Sequence, residues 1–290
     1  MKSGGMAKRA LVLGGTGMLG SAVARRWRDE NAPVLALSHA QADLLDRDRL
    51  LYWAYAFRPE VIVNCAAFTQ VDLCETQEER ATAINGHALA NVTAAADSCG
   101  ARLIQVSSDY VFDGRGGEPL REEAPTGPLS AYGRGKLLGE ELAAAYGRSL
   151  ILRTSWLFGP GGPNFVATIR RFLLEGRKPL RVVDDQHGRP TFTPYLAHAI
   201  WDLAENDAGG VVHYGNREAA SWYDLAREIA RLVDPSAEVL PVKTTEFPRP
   251  AHRPAYSVLD VSRFENIAGR QVECWTSGLA AYLDDFPLCP

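Results

Sequence analysis

The chain has 290 residues, 46% of them hydrophobic, and its 31 basic and 35 acidic side chains leave a formal net charge of −4. That length and apolar content bury a substantial core and exclude disorder. The mixed, slightly acidic charge offers no positive field to hold a nucleic acid or an anionic membrane surface. Five cysteines, Cys65, Cys74, Cys99, Cys274 and Cys289, show no CxxC spacing, and their odd number fits no closed disulfide framework. A reducing cytoplasm is the expected setting. The opening "MKSGGMAKRALVLGG" runs into glycine too early for a signal-peptide core, and Met6 reads as a candidate native start. No apolar run approaches the roughly eighteen residues of a membrane span.

In chain order, "ALVLG" from Ala10 reads as a strand and "MLGSAVARRWRDE" from Met18 as a helix. Strand "VLALS" from Val34, helix "RLLYWAYAF" from Arg49 and strand "VIVNCAA" from Val61 follow. A helix then ends near Ser98, "RLIQVSS" from Arg102 is a strand, a helix starts at Tyr132, and "SLILRTS" from Ser149 is a strand. This alternation predicts a parallel sheet covered by helices on both faces, with strands apolar on both sides. After Trp156, "FGPGGPN" is a loop, "FVATIRRFLLEG" an amphipathic helix, and "RVVDDQHGRPTFTP" a strand running into a Gly/Pro loop. "YLAHAIWDLAEN", "VVHY" and "SWYDLAREIARLV" form one more helix-strand-helix unit, after which the chain becomes proline-rich from Asp234. Residues 1–160 and 188–234 are expected to form the larger domain, and 161–187 with 235–290 a smaller, discontinuous lobe.

Gly14, Gly17 and Gly20 have GxxGxxG spacing in the first strand-helix turn, where small residues let the backbone approach a pyrophosphate at a helix N-terminus. A carboxylate closing the second strand would grip the ribose of NAD, but Ser38 and His39 stand there instead. NADPH is therefore the expected cofactor, with NADH allowed. Asp43 and Asp46 come later, beside the adenine or as turn and helix-capping acids.

Tyr132 and Lys136 are four residues apart and share one helix face. A phenol with an ordinary pKa of about 10 is expected to be lowered by the adjacent ammonium, making the pair a workable acid and base. Ser108, which ends the preceding strand, is placed to hydrogen-bond the oxygen that Tyr132 protonates. Gly133, Gly135 and Gly139 lie in the same helix, each at a cost of about 1 kcal/mol relative to Ala. Gly133 and Gly135 are expected to leave room for cofactor and substrate, and Gly139 to permit close packing. No His, Cys, Asp and Glu cluster has metal-ligand spacing.

Together, GxxGxxG, "VNCAAFTQVD", "SSDYVF" and "YGRGK" resemble an extended short-chain dehydrogenase/reductase. The ordered strings "VNCAAFTQVDLCE", "VSSDYVFDG", "AYGRGKLLGE", "RTSWLFG", "NFV", "VVDDQHGRPT", "SWYDLA" and "RPAYSVLD" sharpen this to a resemblance to the dTDP-4-dehydrorhamnose reductase family. The resemblance implies a Rossmann-type doubly wound α/β fold with a smaller substrate-binding lobe, and reduction of a 4-keto-6-deoxysugar carried by dTDP. It implies Ser108, Tyr132 and Lys136 as the catalytic trio, with Lys136 also holding the nicotinamide ribose. Gly14, Gly17, Met18 and Leu19 would serve the pyrophosphate, Ser38, Asp43 and Leu44 the adenosine end, and Ala66, Ala67, Phe68 and Thr69 the cofactor edge of the third strand. Ser108, Asp109 and Trp156 would meet the nucleotide-sugar, and Arg253 its diphosphate. Three positions depart from the family pattern: Ser108 replaces a usual threonine, Met18 a frequent glutamine, and Gly135 a small polar residue. A homodimer is compatible with this pattern. The alternatives are a related nucleotide-sugar epimerase or dehydratase and a non-catalytic NADP-binding subunit, like the regulatory subunit of methionine adenosyltransferase. Tyr110 stands where a dehydratase would carry glutamate, and the second strand lacks the acidic end usual in epimerases.

Overall fold

The computed structural model describes residues 7–285; Met6 and Cys289 lie outside them. Six strands, all paired in parallel, make one sheet. Across it lie Val34–Leu37, Ala10–Leu13, Val61–Asn64, Arg102–Ser108, Ser149–Thr154 and Gly210–His213. The strand order reverses between the first and third strands, and such a switch point opens a crevice at the carboxyl ends of the strands.

Strand residues alternate between two hydrophobic cores, as a pleat of period two requires. Ala10, Val12, Val61, Val63, Ile104 and Leu152 face helices Met18–Asp29 and Thr193–Glu205, through Val23, Trp27, Leu196 and Ile200. Leu11, Leu13, Ile62, Leu103 and Ile151 face helices Arg47–Phe57, Leu89–Cys99 and Ala131–Ala144, through Leu50, Val92 and Ala143. Helices thus cover both faces, and the doubly wound fold expected from the sequence is present.

A third core joins helices Phe165–Leu174, Trp222–Val233 and Trp275–Asp285 to the parallel strand pair Leu180–Val183 and Val239–Val242. It cuts the chain differently from the expected boundaries. Helix Trp222–Val233, assigned to the larger domain, presents Leu225, Ala226 and Ile229 to this third core. Conversely, Val261, Phe264 and Val272, assigned to the smaller lobe, pack in the first sheet-facing core. The apolar stripe of each helix, rather than its place in the chain, decides which core it joins. The "RVVDDQHGRPTFTP" segment supplies the strand Leu180–Val183, and the expected loop after it contains the two-residue strands His187–Gly188 and Thr191–Phe192.

Helix Ala131–Ala144 starts one residue earlier than expected because the Ser130 side chain caps it, accepting from the Gly133 amide at 3.1 Å. Its glycines face protein backbone. A Cβ at Gly133 would collide with the Tyr110 carbonyl oxygen and one at Gly139 with the Asn85 carbonyl oxygen, while one at Gly135 would lie 3.3 Å from Asn85 Cβ. Room for cofactor or substrate is therefore not what Gly133 and Gly135 provide. All three let the helix close on a π-helical turn, Ala83–His87, and on the segment after the fourth strand. We predict that Gly139→Ala lowers stability by about 1–3 kcal/mol through overpacking, despite the better helix propensity of alanine. Scanning calorimetry checks this; an unchanged or raised Tm would show that the contact yields.

Candidate active site

The site is built at the carboxyl ends of the first, third and fourth strands. Gly14 has φ +72°, a left-handed conformation, and a Cβ there would lie 2.8 Å from the Ala66 nitrogen. The loop after the first strand is thereby pressed against the end of the third. Gly17 caps helix Met18–Asp29 with no side-chain hydrogen bond, and no acidic residue occupies the first turn. The positive helix end is left for an anion, which fits the pyrophosphate of a dinucleotide. A Cβ at Gly20 would collide with the Gly14 carbonyl oxygen, so the third glycine serves helix-to-loop packing.

Around the third strand, Asn64 Oδ1 accepts from the Ala66 amide at 3.1 Å. Buried Asn85, in the π-helical turn, accepts from the Phe68 amide at 2.8 Å and donates to the Phe68 carbonyl at 3.0 Å. Phe68 is thus held at both main-chain groups, and its ring lies under the Arg80 guanidinium. π-turns inside helices often accompany functional sites, and here the turn aims Asn85 at the edge formed by Phe68.

Tyr132, Ser108 and Asp109 converge next to this edge. The Ser108 hydroxyl accepts from the Tyr110 amide at 3.1 Å, donates to Asp109 Oδ1 at 2.9 Å, and lies near enough to the Tyr132 phenol to act on it. Ser257 donates to the other Asp109 oxygen at 2.6 Å. Burial raises the Asp109 carboxyl to about 6, against the pull of these two serines. Burial likewise pushes the Tyr132 phenol above its ordinary value, with Ser108 opposing and Asp109 adding to the rise. The expected lowering by Lys136 is therefore reversed. Lys136 is itself buried, donates to the Val106 carbonyl at 2.7 Å, and is lowered by desolvation to about 8. A phenol that keeps its proton suits a proton donor better than a base.

Beyond the trio opens a cleft of about 970 Å³, lined by Phe165, Gln186, Trp222, Arg249 and Arg253 among others. Arg253 donates to both oxygens of Asp72 at 3.1 Å, tying the proline-rich loop to the rim. Burial acts to raise Asp72, but Arg253 overrides it and holds the carboxyl below its usual range. Trp156 has φ +48° and lies flat against Trp222, with ring centroids 3.6 Å apart and planes 5° from parallel. Trp222 in turn donates to Gln186 Oε1 at 3.2 Å.

With this geometry in place, residues 8–287 match the family described as RmlD substrate binding domain. The chain is 40% identical to the dTDP-4-dehydrorhamnose reductase of Streptomyces griseus, over 97% of this chain and 94% of that one. It is 38% identical to a dTDP-4-keto-6-deoxy-D-glucose reductase of Streptomyces niveus, over 98% of both chains. In three dimensions it resembles the crystal structure of dTDP-4-dehydrorhamnose reductase from Bacillus anthracis in complex with NADP, with TM-score 0.92, 32% identity and coverage of 97% of this chain and 100% of the other.

The chain belongs to the dTDP-4-dehydrorhamnose reductase family.

The expected family positions divide into several groups. Ser108, Tyr132 and Asp109 are brought together, Lys136 lies one helical turn beyond Tyr132, and Gly14 meets Ala66. Leu19 and Leu44 put their side chains into the cores, so only their backbone is free to serve a cofactor. Met18 is half-buried, with its sulfur 3.8 Å from Asn164 Nδ2. Ser38 hydrogen-bonds Gln41 Oε1 through both its amide and its hydroxyl. Asp43 accepts from the Leu45 amide at 3.0 Å, a turn role, and Asp46 caps the next helix. Ala67 is half-buried at the cofactor edge, while Thr69 is exposed and precedes the cap residue Gln70 rather than capping the helix. Both Asp109 oxygens are occupied by serines, one face of Trp156 is covered by Trp222, and Arg253 is paired with Asp72. As they stand, these three support the site from within.

Asn85, Trp222, Ser257 and Asp72 were not singled out from sequence. Trp222 and Ser257 lie inside the family-like strings "SWYDLA" and "RPAYSVLD", which was an available signal; Asn85 had none. We predict that kcat/KM falls as pH rises through about 8, because the Lys136 ammonium loses its proton there. A pH-rate profile checks this, and a plateau continuing well above that pH would remove Lys136 as the controlling group.

Proposed function

We propose that the chain catalyses reduction of the C4 ketone of dTDP-4-dehydro-6-deoxy-L-mannose to dTDP-L-rhamnose, with NADPH preferred over NADH. The observation that carries this reading is the placing of the Tyr132 phenol beside Ser108, at the switch-point end of the sheet and near the uncapped glycine loop.

When bound, NADPH supplies the hydride that reaches the sugar C4. The chain's own residues do the rest. Amides of the glycine loop hold the pyrophosphate, and the Asn85-fixed Phe68 segment forms the edge along which the cofactor lies. Tyr132 transfers its phenolic proton to the C4 oxygen, while the Ser108 hydroxyl turns its one proton from Asp109 to donate to the same oxygen as negative charge develops on it. Lys136 supports the resulting phenolate electrostatically until a proton is regained from solvent. Trp222, backed by Trp156, and Arg249 provide an aromatic wall and a cation for a nucleotide diphosphate in the cleft.

A non-catalytic NADP-binding subunit would have no need for Ser108, Tyr132 and Lys136 together. A dehydratase needs an acid where half-buried Tyr110 stands. The one second reading that a specific observation favours is another dTDP-4-keto-6-deoxysugar reductase, because the Streptomyces niveus relative carries such a name. A homodimer and a cytoplasmic location complete the proposal; among the described residues, no helix is long and apolar enough to cross a membrane.

The test follows NADPH absorbance with dTDP-4-dehydrorhamnose generated in situ, and NMR of the product sugar. NADPH consumption with a rhamno-configured product is expected. Direct reduction of dTDP-4-keto-6-deoxy-D-glucose would move the assignment to the second reading, and no consumption of NADPH with either sugar would overturn both. Tyr132→Phe is expected to lower kcat about 10²–10⁴-fold while NADPH still binds; near-normal turnover would remove Tyr132 as proton donor.

A further inference from the structure

Two strings singled out in the sequence contain charged residues to which the mechanism gives no role: Glu140 in "AYGRGKLLGE" and Arg153 in "RTSWLFG". They meet in the interior. Arg153 Nε donates to Glu140 Oε1 at 2.9 Å and Nη2 to Oε2 at 2.7 Å, a two-pronged pair in which neither residue is more than 5% exposed. The remaining Arg153 nitrogen, Nη1, donates to the Glu122 carbonyl at 3.2 Å and lies 3.4 Å from His213 Nε2. His213 Nδ1 is 3.0 Å from the Leu120 carbonyl, which only accepts, so Nδ1 carries the proton and Nε2 receives the Arg153 hydrogen. Burial and the Arg153 charge push the His213 imidazole down to about 3, so the ring stays neutral. The Arg153 guanidinium also lies over the Phe112 ring, 5.0 Å from its centroid. All three side-chain nitrogens of Arg153 thus have a partner, and its Glu140 partner is held at both oxygens.

Glu140 stands one helical turn beyond Lys136 on the same helix. The groups that face Lys136 are Glu140 on its own helix, Cys65 after the third strand and the Val106 carbonyl on the fourth strand; Arg153, on the fifth, reaches it through Glu140. Cys65 is held in its thiol form by burial, which raises it to about 12. The carboxylate acting on the buried ammonium is therefore Glu140. An apolar pair of similar volume would often serve stability as well or better, so retention of a buried ion pair at this place calls for another role.

We propose that the Glu140–Arg153 pair is a positioning element of the active site: Arg153 fixes Glu140, and Glu140 keeps the Lys136 side chain charged and directed at the catalytic face of its helix. The inference rests on the reading of Lys136 as part of the catalytic trio. Desolvation alone drives Lys136 toward the neutral amine, and Glu140 opposes it. Without Glu140, the amine would lose its proton at lower pH, and the active pH range would contract from its basic side.

The experiment records kcat/KM against pH for the wild type, Glu140→Gln and the double variant Glu140→Met/Arg153→Met, with Lys136→Met in parallel. The double variant removes both charges and leaves none unpaired, so it keeps the test available where Glu140→Gln fails to fold. The expected result is a basic limb displaced downward by about one pH unit or more in the Glu140 variants. It should return toward the wild-type position in Glu140→Asp, which restores the charge. Folded Glu140 variants whose activity changes by one factor at all pH values, with the limb unmoved, would overturn the proposal and leave the trio intact. Wild-type turnover in Lys136→Met would instead overturn the reading of Lys136 on which it rests.

Discussion

Everything at this site follows from the burial of one ammonium group. Lys136 is 4% exposed, and an unpaired charge there would cost several kcal/mol. The protein answers with the Val106 carbonyl at 2.7 Å and with Glu140, held in turn by Arg153. Those contacts require the helix Ala131–Ala144 to lie tight against the fourth and fifth strands. That closeness also partly buries Tyr132 and sets its phenol beside Ser108. The dryness that makes the lysine costly thus keeps the tyrosine protonated and makes each hydrogen bond to a developing alkoxide stronger than it would be in water.

Close backbone approach is the second requirement, and glycine meets it on both sides. Gly14 brings the glycine loop onto the end of the third strand, while Gly133 and Gly139 bring helix Ala131–Ala144 onto Tyr110 and Asn85. The segment between these contacts is fixed by Asn85 at Phe68. On the substrate side, rigidity comes from side chains. Ser257 ties the proline-rich loop to Asp109, Arg253 ties it to Asp72, and Trp156 and Trp222 stack at the wall of the cleft. The proline-rich loop is therefore joined to Ser108 through Asp109, which accepts from that serine with its other oxygen.

Much of this was legible in the sequence because it is local. The strand-helix alternation, the glycine loop and the Tyr132 to Lys136 spacing are all patterns within one element or one turn. What escaped depends on packing between distant segments. Helix Trp222–Val233 carries an ordinary amphipathic stripe, and nothing in it says which core that stripe will meet. Asn85 looks like any helical asparagine until the π-turn aims it at Phe68. The direction of the Tyr132 shift was misjudged for the same reason. Spacing places a lysine beside it, but the fold turns that lysine toward Val106 and removes water from the phenol. Likewise, Gly133 and Gly135 suggested space for a ligand, whereas the space is filled by backbone and by Asn85.

The central claim is that burial keeps Tyr132 a protonated donor in the free enzyme. The most direct measurement is the ultraviolet difference titration of the wild type against Tyr132→Phe, which isolates the phenolate absorbance of this one tyrosine. The account predicts no Tyr132 phenolate at neutral pH and ionisation only above the ordinary tyrosine value of about 10. A phenolate signal appearing near neutral pH in the cofactor-free enzyme would contradict it.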